Sequence, residues 1–105
     1  MQAEIAGIMA SKQTSHLIPL CHQINLDYSK ITYQWFDARA TLRILCSVQV
    51  TDKTGCEMEA IVGSQIAAAT IYDMCKGTFK AIEIQNCHLV SKTGGKSGDY
   101  FHTEE

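Results

Sequence analysis

Thr41-Leu-Arg-Ile-Leu-Cys-Ser-Val-Gln-Val50 and, after a short loop, Glu57-Met-Glu-Ala-Ile-Val-Gly-Ser-Gln-Ile-Ala-Ala-Ala-Thr-Ile-Tyr-Asp-Met-Cys-Lys76 decide the fold. In the first stretch Leu42, Ile44, Cys46, Val48 and Val50 alternate with Thr41, Arg43, Ser47, Gln49 and Thr51, the period-two signature of a half-buried strand. In the second, Ala60, Ile61, Ile66, Ala67, Ala68, Ala69, Ile71 and Met74 are separated by small residues. A long, largely buried helix over 57–76 follows, with Gly63, Ser64 and the alanines allowing another element to approach closely. Thr51-Asp-Lys-Thr-Gly55 has the content of a loop between the two.

Ahead of this pair, Ile24, Leu26 and Tyr28 alternate on one parity and Ile31, Tyr33 and Trp35 on the other. The switch near Ser29-Lys30 predicts a bulge or break in a long strand. Phe36-Asp-Ala-Arg39 reads as a short turn, so the two strands form an antiparallel hairpin. Residues 3–17 carry Ile5, Ile8, Met9 and Leu17 near helical spacing, and Pro19 ends that helix because it lacks an amide donor and disfavours helical geometry at Ile18. Residues 81–91 return to strand character through Ile82, Ile84 and Leu89, with a parity slip near Asn86. The order helix, strand, strand, helix, strand is an α+β sandwich with two helices on one face of an antiparallel sheet. It matches the split βαβ pattern with its first strand missing.

The 105 residues make one domain, 1–105, with 46% apolar and 19% charged residues, a globular composition. A chain this short and apolar favours burial of its surface against copies of itself. The formal charge of −2 leaves no footprint for nucleic acid or an anionic membrane, although Lys76, Lys80, Lys92 and Lys96 gather in the last third. Five cysteines without a Cys-x-x-Cys pair fit reduced thiols in a cytosol-like compartment better than disulfides or a zinc site. No signal-peptide pattern opens the chain and no apolar run is long enough to span a bilayer, so the reading is a soluble protein.

Four groups of residues bear chemistry. Glu57 and Glu59 flank Met58 at the start of the long helix, where carboxylates interact well with the helix dipole by roughly 0.3–1 kcal/mol each; the apolar surroundings also leave at least one of them poorly solvated. Asp73 and Lys76 share a helix face. Such a pair is either a surface ion pair or an oriented amine able to exchange protons. Leu20-Cys21-His22 follows Pro19 in a turn, and an imidazole there suits a substrate contact better than a metal, since adjacent side chains seldom bind one ion well. Gly94-Gly-Lys-Ser97 lacks the earlier glycine of a nucleotide-hydrolase loop, because position 90 is Val. It can still present amides and the Lys96 ammonium to a phosphate, and the residues alone leave open a non-catalytic anion-binding module built on Lys92–Gly98, or a flexible linker. On one helix Glu59 and Asp73 stand about 21 Å apart along the axis. Both can serve one small-molecule site only if two subunits supply them, or if Glu59 precedes the helix in a loop that folds back.

Several stretches together resemble the cyclic pyranopterin monophosphate synthase family of molybdenum cofactor biosynthesis, the MoaC family. They are Ile5-Ala-Gly-Ile8, Thr14-Ser15 leading to Leu17-Ile-Pro-Leu-Cys-His22, Lys53-Thr-Gly55 with Glu57-Met-Glu-Ala60, Thr70-Ile-Tyr-Asp-Met-Cys-Lys76, and Ser91-Lys92 with Gly94-Gly-Lys-Ser-Gly-Asp99. The match runs almost end to end, in order. It implies a ferredoxin-like sandwich and a homohexamer, a trimer of dimers with active sites at dimer interfaces. The reaction it implies converts (8S)-3′,8-cyclo-7,8-dihydroguanosine 5′-triphosphate to cyclic pyranopterin monophosphate with release of pyrophosphate. By resemblance Asp73 and Lys76 are catalytic; Leu20, Cys21, His22, Glu57, Met58 and Glu59 contact substrate; and Lys96 lies near its phosphates. No cofactor or metal is expected, the radical step belonging to the preceding enzyme, and the compartment is the cytoplasm, or the mitochondrial matrix in a eukaryote. Gln23 stands where the family usually has Pro, and Cys56 where Val is common. The resemblance also implies a preceding segment with the sheet's first strand and a further catalytic lysine; without it, the expectation is a sheet with an open edge, or a catalytically impaired member acting as a structural or regulatory subunit.

Overall fold

In the computed structural model, residues 2–18, 25–51, 55–94 and 98–101 are described. Helix α1 spans Gln2–Lys12 and a single turn, α2, spans Thr14–Leu17. Glu4 in the first turn and Lys12 in the last complement the α1 dipole. Thr14 Oγ1 donates back to the carbonyls of Ala10 and Ser11 at 3.2 and 3.0 Å, which replaces lost helix bonds where α1 gives way to α2. Strands β1 (Tyr28–Phe36) and β2 (Thr41–Gln49) follow, joined by a 3₁₀ turn over Asp37–Arg39. Ala40 closes that turn at φ 46°, its amide donating to the Asp37 carbonyl at 3.1 Å.

The hairpin pairs one residue to one from Tyr28↔Gln49 to Phe36↔Thr41. The bulge expected near Ser29-Lys30 is therefore not formed. Leu26 precedes the strand and Tyr28 lies on its exposed side, so no change of parity occurs within β1 itself. Ile24 lies outside the described residues.

Helix α3 runs Glu57–Cys75, within a residue of the expected range. It crosses α1 at two glycines. A Cβ on Gly7 would stand 2.8 Å from the Gly63 carbonyl and 3.1 Å from Ile31 Cδ1; a Cβ on Gly63 would stand 2.8 Å from Cys46 Sγ and 3.1 Å from the Gly7 carbonyl. Ile31 and Cys46 are register partners on one face of the hairpin. Because α1 meets the first and α3 the second, both helices cover the same face of β1–β2, the layering of an α+β sandwich. Ala3, Ala10, Ile31, Val62 and Ala67 form the buried core, and Ser11 ties α1 to the sheet through a 2.8 Å hydroxyl contact with Ser29. Burial of the Cys46 thiol pushes its pKa up to about 11, so it packs as a small hydrophobe.

The strand expected over 81–91 is where structure and expectation part. Only Ser91–Lys92 (β3) form a ladder, antiparallel to Tyr100–Phe101 (β4), and residues 79–90 pair with no strand. Asn86 adopts a left-handed conformation at φ 54°, which interrupts alternation where the parity slip occurs. Strand propensity needs a neighbouring edge to become a strand. In a split βαβ unit the element after the crossover helix pairs with a strand lying between it and β2, and no described segment occupies that place. Order and layering are consistent with a ferredoxin-like arrangement; the sheet among the described residues is two-stranded.

Candidate active site

The opening turn of α3 is built around Gly55. With no side chain there, Glu57 folds back so that a carboxylate oxygen crowds the place a Cβ would take, and Lys92 Cε passes 3.6 Å from the same point. Lys92 Nζ bonds Glu57 Oε2 at 3.2 Å, joining β3 to a helix that begins 35 residues earlier. The hydrogen bond from Glu57's own backbone amide, reinforced by Lys92, holds this carboxyl below the ordinary carboxylate range despite partial desolvation. Glu59 behaves oppositely. It is 3% exposed, and burial pushes its carboxyl upward, with the Glu57 charge adding to the effect. Met58 between them is half-buried. Burial and the same two carboxylates push the neighbouring Cys56 thiol up as well. Two carboxyls two residues apart are thus pushed in opposite directions by their surroundings, one by hydrogen bonding and a lysine, the other by burial.

At the far end of α3, Lys76 Nζ lies 3.1 Å from Asp73 Oδ1, with side chains 53% and 69% exposed respectively. The pair ends the helix in solvent rather than half-buried. Asp73 places a carboxylate in the last turn, where the macrodipole is unfavourable to it, and Lys76 offsets that charge one turn on. The Lys76 and Phe79 amides donate to the carbonyls of Tyr72 and Cys75, and Tyr72 Oη donates to the Lys80 carbonyl at 3.3 Å, fixing the exit of the chain. Met74 and Phe79 stand open beside the pair, 55% and 59% exposed.

Glu57, Met58 and Glu59 therefore come together, as do Asp73 and Lys76, but α3 is continuous between the groups and keeps them about 21 Å apart. The alternative in which Glu59 precedes the helix is excluded, since it lies in the first turn. Leu20, Cys21, His22 and Lys96 lie outside the described residues. Among the described residues no three His, Cys, Asp or Glu side chains gather as a metal site, and no helix is long and apolar enough to cross a membrane. The pairing of Lys92 with Glu57 was not foreseen. Its sequence signal is slight: a lysine at the end of an apolar run, beside a glycine-rich loop.

Residues 1–95 match the model of the MoaC family. The chain belongs to that family. Among curated relatives, the cyclic pyranopterin monophosphate synthase of Nitratidesulfovibrio vulgaris is 48% identical over 98 residues, covering 93% of this chain and 61% of that protein. The enzymes of the same name from Clostridium perfringens and Chloroflexus aggregans are 49% and 46% identical, covering 93% and 97% of this chain and 62% of each relative. The chain spans about three fifths of the length of these relatives. Family membership agrees with the motifs read from the sequence, and every described motif residue falls on α1, α2, on α3 and its flanking turns, or around β3.

Proposed function

We propose that this chain contributes the MoaC-family site of a cyclic pyranopterin monophosphate synthase, a lyase acting in molybdenum cofactor biosynthesis. The substrate is (8S)-3′,8-cyclo-7,8-dihydroguanosine 5′-triphosphate, and the products are cyclic pyranopterin monophosphate and pyrophosphate. The observation that carries the reading is the division of one set of family motif residues between the two ends of a single continuous helix. Asp73 and Lys76 supply proton transfers for opening the ribose-linked ring system and closing the cyclic phosphate. Glu57, Met58 and Glu59, with Leu20, Cys21 and His22, hold the substrate, and Lys96 meets its phosphates. Two chains packed with their α3 helices antiparallel bring the start of one beside the end of the other. The open apolar side chains of Met74 and Phe79 at the Asp73–Lys76 end, and of Ile5 and Met9 on α1, support association of copies. The assembled form is a homohexamer, a trimer of dimers, working in the cytoplasm.

Incubation of the protein with the cyclised GTP derivative, with chromatographic detection of the pterin product, tests the activity. Product should form with the native chain and be lost with Lys76→Ala; equal product from both would sink the assignment. Mixing inactive Asp73→Asn and Glu59→Gln chains tests the shared site. Random pairing restores one intact site in half the dimers, about a quarter of native activity. A mixture as inactive as its components would show that one chain supplies both ends.

A further inference from the structure

The ion pair at the start of α3 differs in kind from the one at its end. Asp73 and Lys76 are neighbours on one helix, whereas Glu57 and Lys92 come from separate elements, and their side chains are more withdrawn at 37% and 24% exposed. Strand β3 is two residues long and, among the described residues, pairs only with the equally short β4. A ladder so short gives little rigidity, so the Lys92 head group is placed largely by what it grips. Its grip has a shaped seat. The Glu57 carboxylate lies over Gly55, crowding the place a Cβ at 55 would take, and the Lys92 stem passes in ordinary contact with that place, 3.6 Å away. We infer that Lys92 is a positioning residue: it pins Glu57 over Gly55 and thereby sets the opening turn of α3, with Met58 and Glu59, for substrate.

This role rests on the proposed reaction and deepens it. Lys92 acts through Glu57, and it neutralises a carboxylate that would otherwise face a triphosphate with a bare charge. An ammonium that bound the substrate directly would depend neither on Glu57 nor on the space above residue 55. A pinning ammonium depends on both. Gly55→Ala is therefore the decisive variant, because it keeps both the Lys92 and the Glu57 side chains and obstructs only the place of the Glu57 carboxylate. The displaced group is the far end of a flexible side chain, so the substitution moves the carboxylate without unfolding the helix.

The test is steady-state kinetics of pterin formation by the full protein with Lys92→Met, Lys92→Arg and Gly55→Ala. Lys92→Met should raise KM about tenfold with kcat within about threefold, the pattern of lost binding rather than lost chemistry. Lys92→Arg should recover most of the loss, and Gly55→Ala should reproduce it. A native KM in Gly55→Ala beside an impaired Lys92→Met would overturn the inference, as would a collapse of kcat at unchanged KM. Failure of the native protein to form product refutes the reaction instead. The positioning role is then read from amide hydrogen exchange over residues 57–60, faster in Lys92→Met and Gly55→Ala than in the native chain. Equal exchange in all three overturns it.

Discussion

Each end of α3 carries two charged side chains, and the fold treats them in opposite ways. At the start, Glu57 is held by a lysine from a remote strand and Glu59 is buried, so both carboxyls depart from ordinary behaviour, in opposite directions. At the end, Asp73 and Lys76 satisfy each other within one turn and stand in solvent. The first end is organised by tertiary packing inside the chain. The second is organised only locally, and its open apolar neighbours Met74 and Phe79 leave it uncovered. An arrangement finished at one end and open at the other suits the proposed site shared between two chains, in which the start of one helix would meet the exposed pair of another.

The largest effects should separate chemistry from stability. Lys76→Ala and Asp73→Asn are each expected to lower kcat/KM by roughly a hundredfold or more, the usual scale for lost proton transfer. A fall of less than threefold would break the contrast between the ends. Next comes the crossing that holds the helix in place. Gly63→Val would drive its side chain into Cys46 Sγ, the Gly7 carbonyl and Ser11 Cβ. It should lose about 1–3 kcal/mol in urea unfolding, the range for an overpacked core, while the same change at exposed Gln65 loses far less.

The two carboxyls of the first turn should then show opposite pH dependence. Burial raises Glu59, so the folded chain keeps a proton that the unfolded chain has released. The resulting stability is lost as pH rises from 4.5 through the folded pKa. Glu57 is lowered, so its stabilising contribution is present above 4.5 and is lost as pH falls through the folded pKa. Relative to the native chain, Glu59→Gln should therefore gain melting temperature as pH rises above 4.5, whereas the deficit of Glu57→Gln should be present above 4.5 and shrink as pH falls below it. Curves that move together would remove the distinction. The smallest effect belongs to the open end: Asp73→Asn should shift stability by no more than about 0.5 kcal/mol, the scale of a local helix pair. A larger loss in calorimetry would mean that this end, too, is structurally committed.

Much of this was legible because it depends on local periodicity. The alternation at Leu42, Ile44, Cys46 and Val48, the turn at Phe36–Arg39 and the helical spacing through 57–76 all appear where they were read. Elements that need a pairing partner do not follow from periodicity alone. Residues 81–90 have strand-forming side chains yet make no ladder, since pairing is a property of two segments. The parity change near Ser29-Lys30 makes no bulge, since β1 pairs one residue to one throughout and Tyr28 simply lies on the strand's exposed side.

The site divides along the same line. Sequence alone determined that Glu57, Met58 and Glu59 open a helix that Asp73 and Lys76 close, and that a fixed rise per residue must keep the two groups apart. Only the tertiary structure decided which carboxyl is buried, that Gly55 leaves room for the Glu57 carboxylate, and that Lys92 holds it. Spacing along a helix follows from covalent geometry and local hydrogen bonds, whereas burial and long-range charge pairing depend on where other elements come to rest.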